Sequence, residues 1–325
     1  MIITKTPFRI SLFGGGTDYP AWYRYHGGEV ISFTIDKYCY LTTRLLPPFF
    51  DHKYRIAYSK VETTKNIDEI QHPVVREGIR KYCPDLGLEI HHDGDLPARS
   101  GVGSSSAFAV GLISALSFLK NLELSKAELA NQAIELEQNI LKENVGSQDQ
   151  IACALGGMNY IKFGGEREWI SEKLELTDTL KNELERRLVL VYSGIHRSSS
   201  DVQVNLLVDL SKKSKIMNRT IELARECSQV LQNGKDLDLI GDMLDESWDL
   251  KKAMNSHAVT SDLEILKQRS KSAGAIGGKV LGAGGGGFCI FWVKDGDREK
   301  FIKEFNLGTY VPVKISEEGS TFVLK

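Results

Sequence analysis

The sequence predicts an α+β fold with two domains, and three observations support this. The chain has 325 residues, enough for two domains or one large one. Strand-like segments dominate the first hundred residues, and helical patterns begin after Pro97. Near Gly194 the pattern starts again with helices and then strands. We therefore predict one domain over residues 1–193 and a second over residues 194–325, although no Pro- or Ser-rich linker separates them.

Strands are predicted first, because β-branched and aromatic segments alternate there with Gly, Pro and Asp. These segments are FRISLF, VISFTIDKYCYLTTRLL, KYRIAYS and LEIHH. One short helix, PVVREGIRKY, is expected to interrupt them.

Helices are predicted in the middle of the chain. Ser104–Leu119 is apolar nearly all round, which indicates a buried helix. Ser125 and Glu128 form a capping box that opens a helix running to about Glu143. A third helix is expected to begin within GSQDQIACALGG, and the strands MNYIKFGG and RRLVLVYSG follow it.

The C-terminal part is predicted to carry helices from about Ser198 to Ala273. A glycine-rich hairpin follows, then a helix near Arg298–Phe305 and two closing strands.

Composition excludes several function classes. With 41 Lys and Arg against 43 Asp and Glu, the net charge of -2 gives no long-range attraction to nucleic acid or to acidic membranes. The five cysteines are scattered without a CxxC pair, which argues against a disulfide framework or a zinc site. The N-terminus lacks the apolar segment of a signal peptide, and the most apolar run is too short to span a membrane. A cytoplasmic protein is expected.

The segment LPARSGVGSSSAF is a candidate anion site. Gly101, Val102 and Gly103 precede Ser104, Ser105 and Ser106 at the start of the apolar helix. The first amides of a helix lack carbonyl partners and carry partial positive charge, and glycine lets the backbone approach a ligand closely. A plain loop with a serine N-cap is the alternative. A Walker loop is excluded because no Gly-Lys-Ser/Thr sequence ends the segment.

A second glycine cluster, Gly282–Gly287, has the residue pattern of the dinucleotide fingerprint but not the structural context that this fingerprint requires. That fingerprint must open a helix, whereas FCIFWV predicts a strand after this cluster. The cluster forms either a tight hairpin or a loop whose backbone presses against another loop or a ligand.

The segment PFRISLFGGGTDYP supplies further candidates. Arg9 lies inside an apolar strand, where it is either functional or a surface side chain. Asp18 follows the turn Gly14–Gly16 and is either a turn former or an acceptor of sugar hydroxyls.

Two carboxylates in the middle of the chain are also candidates. Glu137 falls on the apolar face of its helix, so it needs a salt bridge or a cation such as Mg²⁺. Asp149 begins a helix, either as a cap or as a general base for an attacking hydroxyl. A metal site at His91, His92 and Asp93 is disfavoured, since neighbouring strand residues face opposite ways.

Together the three glycine-rich segments closely resemble the GHMP kinases, the family of galactokinase, homoserine kinase, mevalonate kinase and phosphomevalonate kinase. PFRISLFGGGTDYP, LPARSGVGSSSAF and KVLGAGGGGFCIF occur in the family's order and span most of the chain. The resemblance implies an N-terminal domain like ribosomal protein S5 domain 2 and a ferredoxin-like C-terminal domain, with the active site between them.

The resemblance also implies roles for residues. Arg9 and Asp149 match the catalytic arginine and aspartate of the family's sugar kinases, in which the arginine would keep the aspartate ionised. Glu137 and Ser105 match the ligands of Mg²⁺, with the serine register uncertain by one. The phosphate loop for ATP would comprise Gly101, Val102, Gly103, Ser104, Ser105 and Ser106. The acceptor would contact Gly15, Gly16, Thr17, Asp18, Gly284 and Gly285.

The acceptor is indicated by a departure from galactokinase. Where galactokinases have Gly-Glu-His before Thr-Asp-Tyr, this chain has Gly14–Gly16, which implies a different or larger sugar. FGGGTDYP is most similar to the family's heptose 7-phosphate kinases and fucokinase modules. For a single-function chain of this length, the resemblance implies phosphorylation of D-glycero-D-manno-heptose 7-phosphate at its C1 hydroxyl, on the way to nucleotide-activated heptose.

Two alternatives stay open: a fucokinase-like or other free-sugar 1-kinase, and a non-catalytic sugar and ATP sensor. The expected partners are ATP and a small sugar phosphate, with no nucleic acid and no membrane, and a homodimer is one possible assembly. For the acceptor's own phosphate, the candidates are Arg197 and its rivals Arg24, Arg44 and Arg99.

Overall fold

The computed structural model describes residues 1–166, 168–195, 213–234, 236–255 and 257–325. Within them, strands form two sheets. The larger sheet has the order β12-β1-β2-β5-β3-β4, with β6 also paired to β2 and β7 to β6. Its strands are β1 (Ile2–Phe13), β2 (Gly28–Leu45), β3 (Tyr54–Ala57), β4 (Val61–Thr64), β5 (Leu88–Gly94), β6 (Met158–Phe163), β7 (Trp169–Lys173) and β12 (Thr321–Leu324).

The smaller sheet is antiparallel and has the order β11-β8-β10-β9. Successive residues of its central strand alternate between two apolar clusters, so both faces of the sheet are buried. The strands are β8 (Leu188–Tyr192), β9 (Gly277–Val280), β10 (Phe288–Trp292) and β11 (Thr309–Val311).

Helices cover the sheets, and a 3₁₀ turn (Ile67–Glu69) and a π-helical turn (Glu135–Ile140) add to them. Among the described residues, none of the helices is both long and apolar enough to cross a membrane. The helices are α1 (Pro20–His26), α2 (Pro73–Tyr82), α3 (Ser104–Leu119), α4 (Lys126–Ile134), α5 (Gln148–Leu155), α6 (Asp178–Arg187), α7 (Ser214–Asn233), α8 (Asp238–Met254), α9 (Ser261–Ser272) and α10 (Arg298–Phe305).

Two strands pair with the sheet that lies on the other side of the predicted domain division between residues 193 and 194. The strand β8 precedes the division but pairs with β10 and β11 in the smaller sheet. The last strand, β12, follows the division but pairs with β1 in the larger sheet. The division itself stays a prediction, and the sheets show that the chain crosses between the two layers more than once.

The helix predicted to run from Ser125 to about Glu143 ends earlier. The α-helical part stops at Ile134, and a π-helical turn continues to Ile140. Such a turn changes the angular spacing of the side chains, and π-helical segments are frequent at functional sites. Ile140, an apolar residue at the end of this turn, is therefore 37% exposed, whereas Glu137 is fully buried as predicted.

The apolar helix α3 is buried along most of its length, as predicted. It packs against β1, β2, α4 and α5, so its axis is fixed within the core. Its first turn opens into a cavity that both sheets border.

Candidate active site

A cavity of about 590 Å³ lies where the two sheets and their connecting loops meet. It receives residues from all three glycine-rich segments, which are far apart in the sequence. The predicted residues that line it are Arg9, Gly15, Gly16, Asp18, Gly101, Gly103, Ser104, Ser105, Ser106, Glu137, Asp149 and Gly284.

Three predicted residues do not line the cavity. The Thr17 hydroxyl donates to the carbonyl oxygen of Gly14 at 2.7 Å, so it closes the turn instead of facing a ligand. Val102 is buried, and its carbonyl oxygen accepts the backbone N–H of Arg9 at 3.0 Å. Gly285 donates its N–H to the carbonyl oxygen of Ala258 at 2.8 Å. These three residues shape the loops around the cavity.

Arg9 and Asp149 form a two-pronged ion pair at the cavity. Arg9 Nε donates to Asp149 Oδ1 at 2.7 Å, and Arg9 Nη2 donates to Oδ2 at 2.5 Å. The third nitrogen, Nη1, donates to the carbonyl oxygen of Gly101 at 2.6 Å. Asp149 lies in the first turn of α5, but its carboxylate points to the arginine and not to its own helix end. A bidentate pair fixes both distance and orientation.

The predicted phosphate loop presents a helix N-terminus to the cavity. Gly103 is the N-cap of α3 and is left-handed, with φ of 74°, and as a glycine it has no side chain to cap the first amides. Ser104, Ser105 and Ser106 follow in the first turn, and all three line the cavity. Free amides and the positive end of the helix dipole form a site for phosphate oxygens.

The third glycine segment is both a hairpin and a support for the phosphate loop. It connects β9 to β10, so the strand predicted after it is confirmed and a dinucleotide fingerprint is excluded. A Cβ at Gly282 would lie 2.6 Å from Gly101 Cα, which shows how closely the two backbones approach. Phe288 N donates to the carbonyl oxygen of Ser100 at 2.9 Å. Side chains at this junction would push the phosphate loop away.

Glu137 lies below the serines of α3 with its carboxylate fully buried. Ser106 Oγ donates to Oε2 at 2.8 Å and Ser105 Oγ donates to Oε1 at 3.3 Å, while the amide of Gln150 donates to Oε2. Burial raises the pKa of Glu137 to about 7 despite these donors. A cation at this position would offset the burial of the charge, so the residues fit Mg²⁺ shared with phosphate oxygens.

Asp18 is held beside Asp149 at the mouth of α5. Its Oδ1 accepts the N–H of Gly16 at 2.9 Å and its Oδ2 accepts the N–H of Gln148 at 3.2 Å. Burial raises the pKa of Asp18, and the charge of Asp149 raises it further. Two carboxylates facing one cavity suit the binding of a polyhydroxylated ligand.

Sequence reasoning missed two lysines that line the cavity, the buried Lys279 and the half-buried Lys251. Lys251 Nζ donates to the carbonyl oxygens of Val280 at 3.1 Å and Gly282 at 2.6 Å. Lys279 Nζ donates to the carbonyl oxygen of Leu12 at 2.8 Å. Lys279 lies in β9, whose residues are all buried, a position that lysine rarely takes; its place beside the glycine-rich hairpin is the signal that the sequence offers.

The arginines predicted to bind the acceptor's own phosphate do not lie together at the cavity. Arg197 lies outside the described residues. Arg24 pairs with Glu168 and Arg44 pairs with Glu89, and neither lines the cavity. Arg99 does line it, next to the phosphate loop.

The disfavoured metal site at residues 91–93 finds no support. His91 Nε2 lies 2.7 Å from a carboxylate oxygen of Glu89, while the ring of His92 packs edge-on against Phe108. Across the described part of the chain, no group of three or more His, Cys, Asp or Glu side chains is arranged to hold a metal ion.

Comparisons with known proteins locate two family domains in this chain. The model of the GHMP kinases N terminal domain matches residues 70–157. The model of the GHMP kinases C terminal domain matches residues 220–310. The first match contains the predicted phosphate loop, Glu137 and Asp149, and the second contains Lys251 and Lys279.

Individual relatives cover most of the chain. A D-glycero-alpha-D-manno-heptose 7-phosphate kinase of Campylobacter jejuni is 29% identical over 93% of this chain and 92% of its own. A mevalonate kinase of Pyrococcus horikoshii is 30% identical over 72% of this chain and 68% of its own. A solved D-glycero-D-manno-heptose 1-phosphate kinase of Bacteroides thetaiotaomicron superposes with a TM-score of 0.81 and 25% identity, covering 99% of this chain and 98% of its own.

Proposed function

Because this chain belongs to the GHMP kinase family, whose members use ATP as phosphate donor, we propose that it phosphorylates D-glycero-D-manno-heptose 7-phosphate. The acceptor atom is the anomeric C1 hydroxyl oxygen, and the product is the 1,7-bisphosphate. One observation carries this proposal. The bidentate pair of Arg9 and Asp149 faces the phosphate loop across the same cavity, so a base and a phosphate site meet at one point.

The phosphate loop binds the ATP phosphates in this proposal. The amides at the start of α3 donate to phosphate oxygens, and the serine hydroxyls add further donors. Lying on a buried helix, these donors are already oriented, so little reorganisation is needed during transfer.

Glu137 holds the magnesium ion in this proposal, together with the hydroxyl of Ser105 or Ser106. Both hydroxyls already contact its carboxylate. The bound ion would supply neutralisation of the charge on the phosphates.

Asp149 takes the proton of the attacking hydroxyl. A bond forms from the sugar C1 oxygen to the γ-phosphorus, the bond from the γ-phosphorus to the bridging oxygen of ADP breaks, and the proton passes to the Asp149 carboxylate. Arg9 fixes the orientation of that carboxylate and, through Gly101, its position relative to the phosphate loop. Since phosphoryl transfer depends mainly on position and charge, orienting the hydroxyl is the larger part of this role.

The acceptor is proposed from the sugar side of the cavity. Gly15 and Gly16 line it without side chains, beside Asp18, which leaves room for a larger sugar. The Campylobacter relative, which covers nearly the whole chain, is named for heptose 7-phosphate. We place the reaction in the cytoplasm, as the five free and buried cysteines suggest. Assembly as a homodimer stays a prediction.

The proposal is tested with a panel of sugars and sugar phosphates scored by ADP release. Heptose 7-phosphate should give the highest kcat/KM, and NMR should locate the new phosphate on C1. A preference for free fucose would contradict heptose 7-phosphate as the acceptor and would favour a fucokinase-like enzyme. ATP turnover that no sugar stimulates would favour a sensor and contradict the proposed reaction.

A further inference from the structure

Two lysines line the cavity and have no carboxylate partner among the described residues. Within the described residues, neither Lys251 nor Lys279 forms an ion pair, and both are held by backbone carbonyl oxygens alone. An ammonium group has three N–H donors. Lys251 uses two and Lys279 uses one among the described residues, so three donors are left for a ligand.

A buried cation without a counter-charge is costly. Burial lowers the pKa of Lys251 to about 8, with the charge of Arg9 adding to the effect. Burial also lowers the pKa of Lys279, and the charges of Lys251 and Arg9 lower it further. The charge of Arg9 acts on both lysines, and among the described residues Arg9 alone of the three has an ion-pair partner, namely Asp149.

A third polar group points to a ligand at the same place. Ser11 is only 6% exposed and lines the cavity, and among the described residues its Oγ has no hydrogen-bond partner. It lies two residues after Arg9 on β1, on the same face of the strand. Its neighbour Leu12 supplies the carbonyl oxygen that Lys279 contacts. A buried hydroxyl and two ammonium groups are the donors that a phosphate dianion accepts from.

We propose that Lys279, Lys251 and Ser11 form a binding site for the phosphate that the acceptor already carries, separate from the phosphate loop for ATP. The inference rests on the proposed function, because it concerns the phosphate of a sugar phosphate. Arg9, which pairs with Asp149, and Leu12, whose carbonyl oxygen Lys279 contacts, lie about 10 Å apart along the backbone of β1. In this proposal the reacting hydroxyl lies near Asp149 and the acceptor's phosphate near Lys279, at two ends of one extended sugar.

The experiment compares two acceptors, heptose 7-phosphate and the same heptose without phosphate. Lys279→Met should raise the KM for the phosphorylated sugar at least about tenfold, the low end for lost hydrogen bonds to a charged group. The KM for ATP and the kcat/KM for the unphosphorylated sugar should stay within about twofold. Lys251→Met and Ser11→Ala should act in the same direction, and Lys279→Arg should restore part of the loss. Equal losses on both sugars, or no loss, would overturn the proposal.

Two controls keep this result interpretable. Lys252→Met removes the neighbouring lysine, which pairs with Glu264 on the surface, and should change neither sugar's kinetics. Inorganic phosphate should raise the Tm of wild-type protein already saturated with a non-hydrolysable ATP analogue and Mg²⁺, but not that of Lys279→Met.

The phosphate measurement separates the two proposals. If the wild-type protein does not use heptose 7-phosphate, the proposed function fails, and the phosphate-induced rise in Tm still decides the lysine site. If that rise is absent in the wild-type protein, the lysine site is overturned whichever sugar is used.

Discussion

The cavity has two walls that attract anions in different ways. The loop wall, Gly101–Ser106, offers backbone amides at the end of a helix and carries no net charge. The lysine wall, Lys251 and Lys279, offers ammonium groups held by carbonyl oxygens. The loop wall is formed by one continuous segment, whereas the lysine wall needs α8 and β9 to be packed together. In the proposed function the nucleotide carries Mg²⁺ and the acceptor's phosphate does not, and the two walls match this difference.

The two walls should also respond differently to pH. Amides keep their protons over the physiological range, so the loop wall has no titration of its own. Lys251, whose pKa burial lowers to about 8, loses its charge within reach of neutral pH, and burial lowers the pKa of Lys279 as well. Nucleotide binding and acceptor binding should therefore separate in their pH profiles.

The largest effect is expected at Asp149, which lies between the walls. Asp149→Ala should lower kcat at least about a hundredfold, the low end for general-base catalysis, because the attacking hydroxyl loses its acceptor. ATP affinity should persist, since the loop wall is unchanged. Single-turnover kinetics and nucleotide titration measure the two effects. Glu135→Ala, a carboxylate outside the cavity lining, is the control. Near-normal turnover in Asp149→Ala would remove the base from the mechanism.

Glu137 should make the nucleotide-free protein less stable as pH rises. Its folded pKa of about 7 is above the ordinary 4.5, so protonation favours the folded state. The stabilisation from protonated Glu137 is complete below pH 4.5 and is lost as pH rises through 7. This loss lowers the free energy of unfolding by about 3 kcal/mol.

The measurement is urea unfolding at pH 5 and pH 8 for the wild type and for Glu137→Gln. The wild type should lose stability relative to this variant on going to pH 8, and Mg²⁺ with nucleotide should cancel the difference. Glu135→Gln on the same turn is the matched control. A wild-type profile parallel to that of Glu137→Gln would contradict the buried, cation-dependent carboxylate.

Gly103→Ala should weaken mainly the loop wall. Gly103 has a left-handed backbone conformation, which costs a residue with a Cβ about 1–2 kcal/mol. The Cβ of an alanine at this position would lie 3.1 Å from Arg9 Cγ. We expect the KM for ATP to rise about tenfold, for a loss near 1.4 kcal/mol, with a smaller change for the acceptor. Gly296→Ala carries similar backbone strain at a surface turn and should lower stability without changing the KM for ATP. A larger effect on the acceptor than on ATP would contradict the division between the walls.

The smallest effect concerns the pH profile of the lysine wall. Lys251 lies near Arg9, Lys279 and Cys289; burial lowers the pKa of Lys251 to about 8 and raises that of Cys289 to about 12, so the decline near pH 8 is expected from Lys251. The kcat/KM for the phosphorylated acceptor should fall by up to about tenfold from pH 8 to pH 9, as Lys251 loses its proton. Lys251→Met should lack this decline. The same decline with the unphosphorylated heptose would assign it to another group.

Much of the loop wall could be predicted from the sequence, because its information is local. The two-domain GHMP kinase fold is confirmed, and α2, α3 and α10 have the predicted bounds. Predictions from local sequence patterns failed where the structure depends on packing between distant parts of the chain. The helix α6 was missed because Leu184 is its one buried residue, which leaves little periodicity. The lysine wall was missed for the same kind of reason: nothing in the sequence near Lys251 indicates that its ammonium group meets the backbone of Gly282.

The most direct test is a crystal structure with a non-hydrolysable ATP analogue and Mg²⁺. The central claim is that the start of α3 binds the nucleotide's phosphates opposite Asp149. The phosphates should contact the amides of Ser104–Ser106, with the metal between them and Glu137 and the γ-phosphate facing Asp149. A triphosphate bound elsewhere, with the start of α3 free of phosphate, would contradict the account.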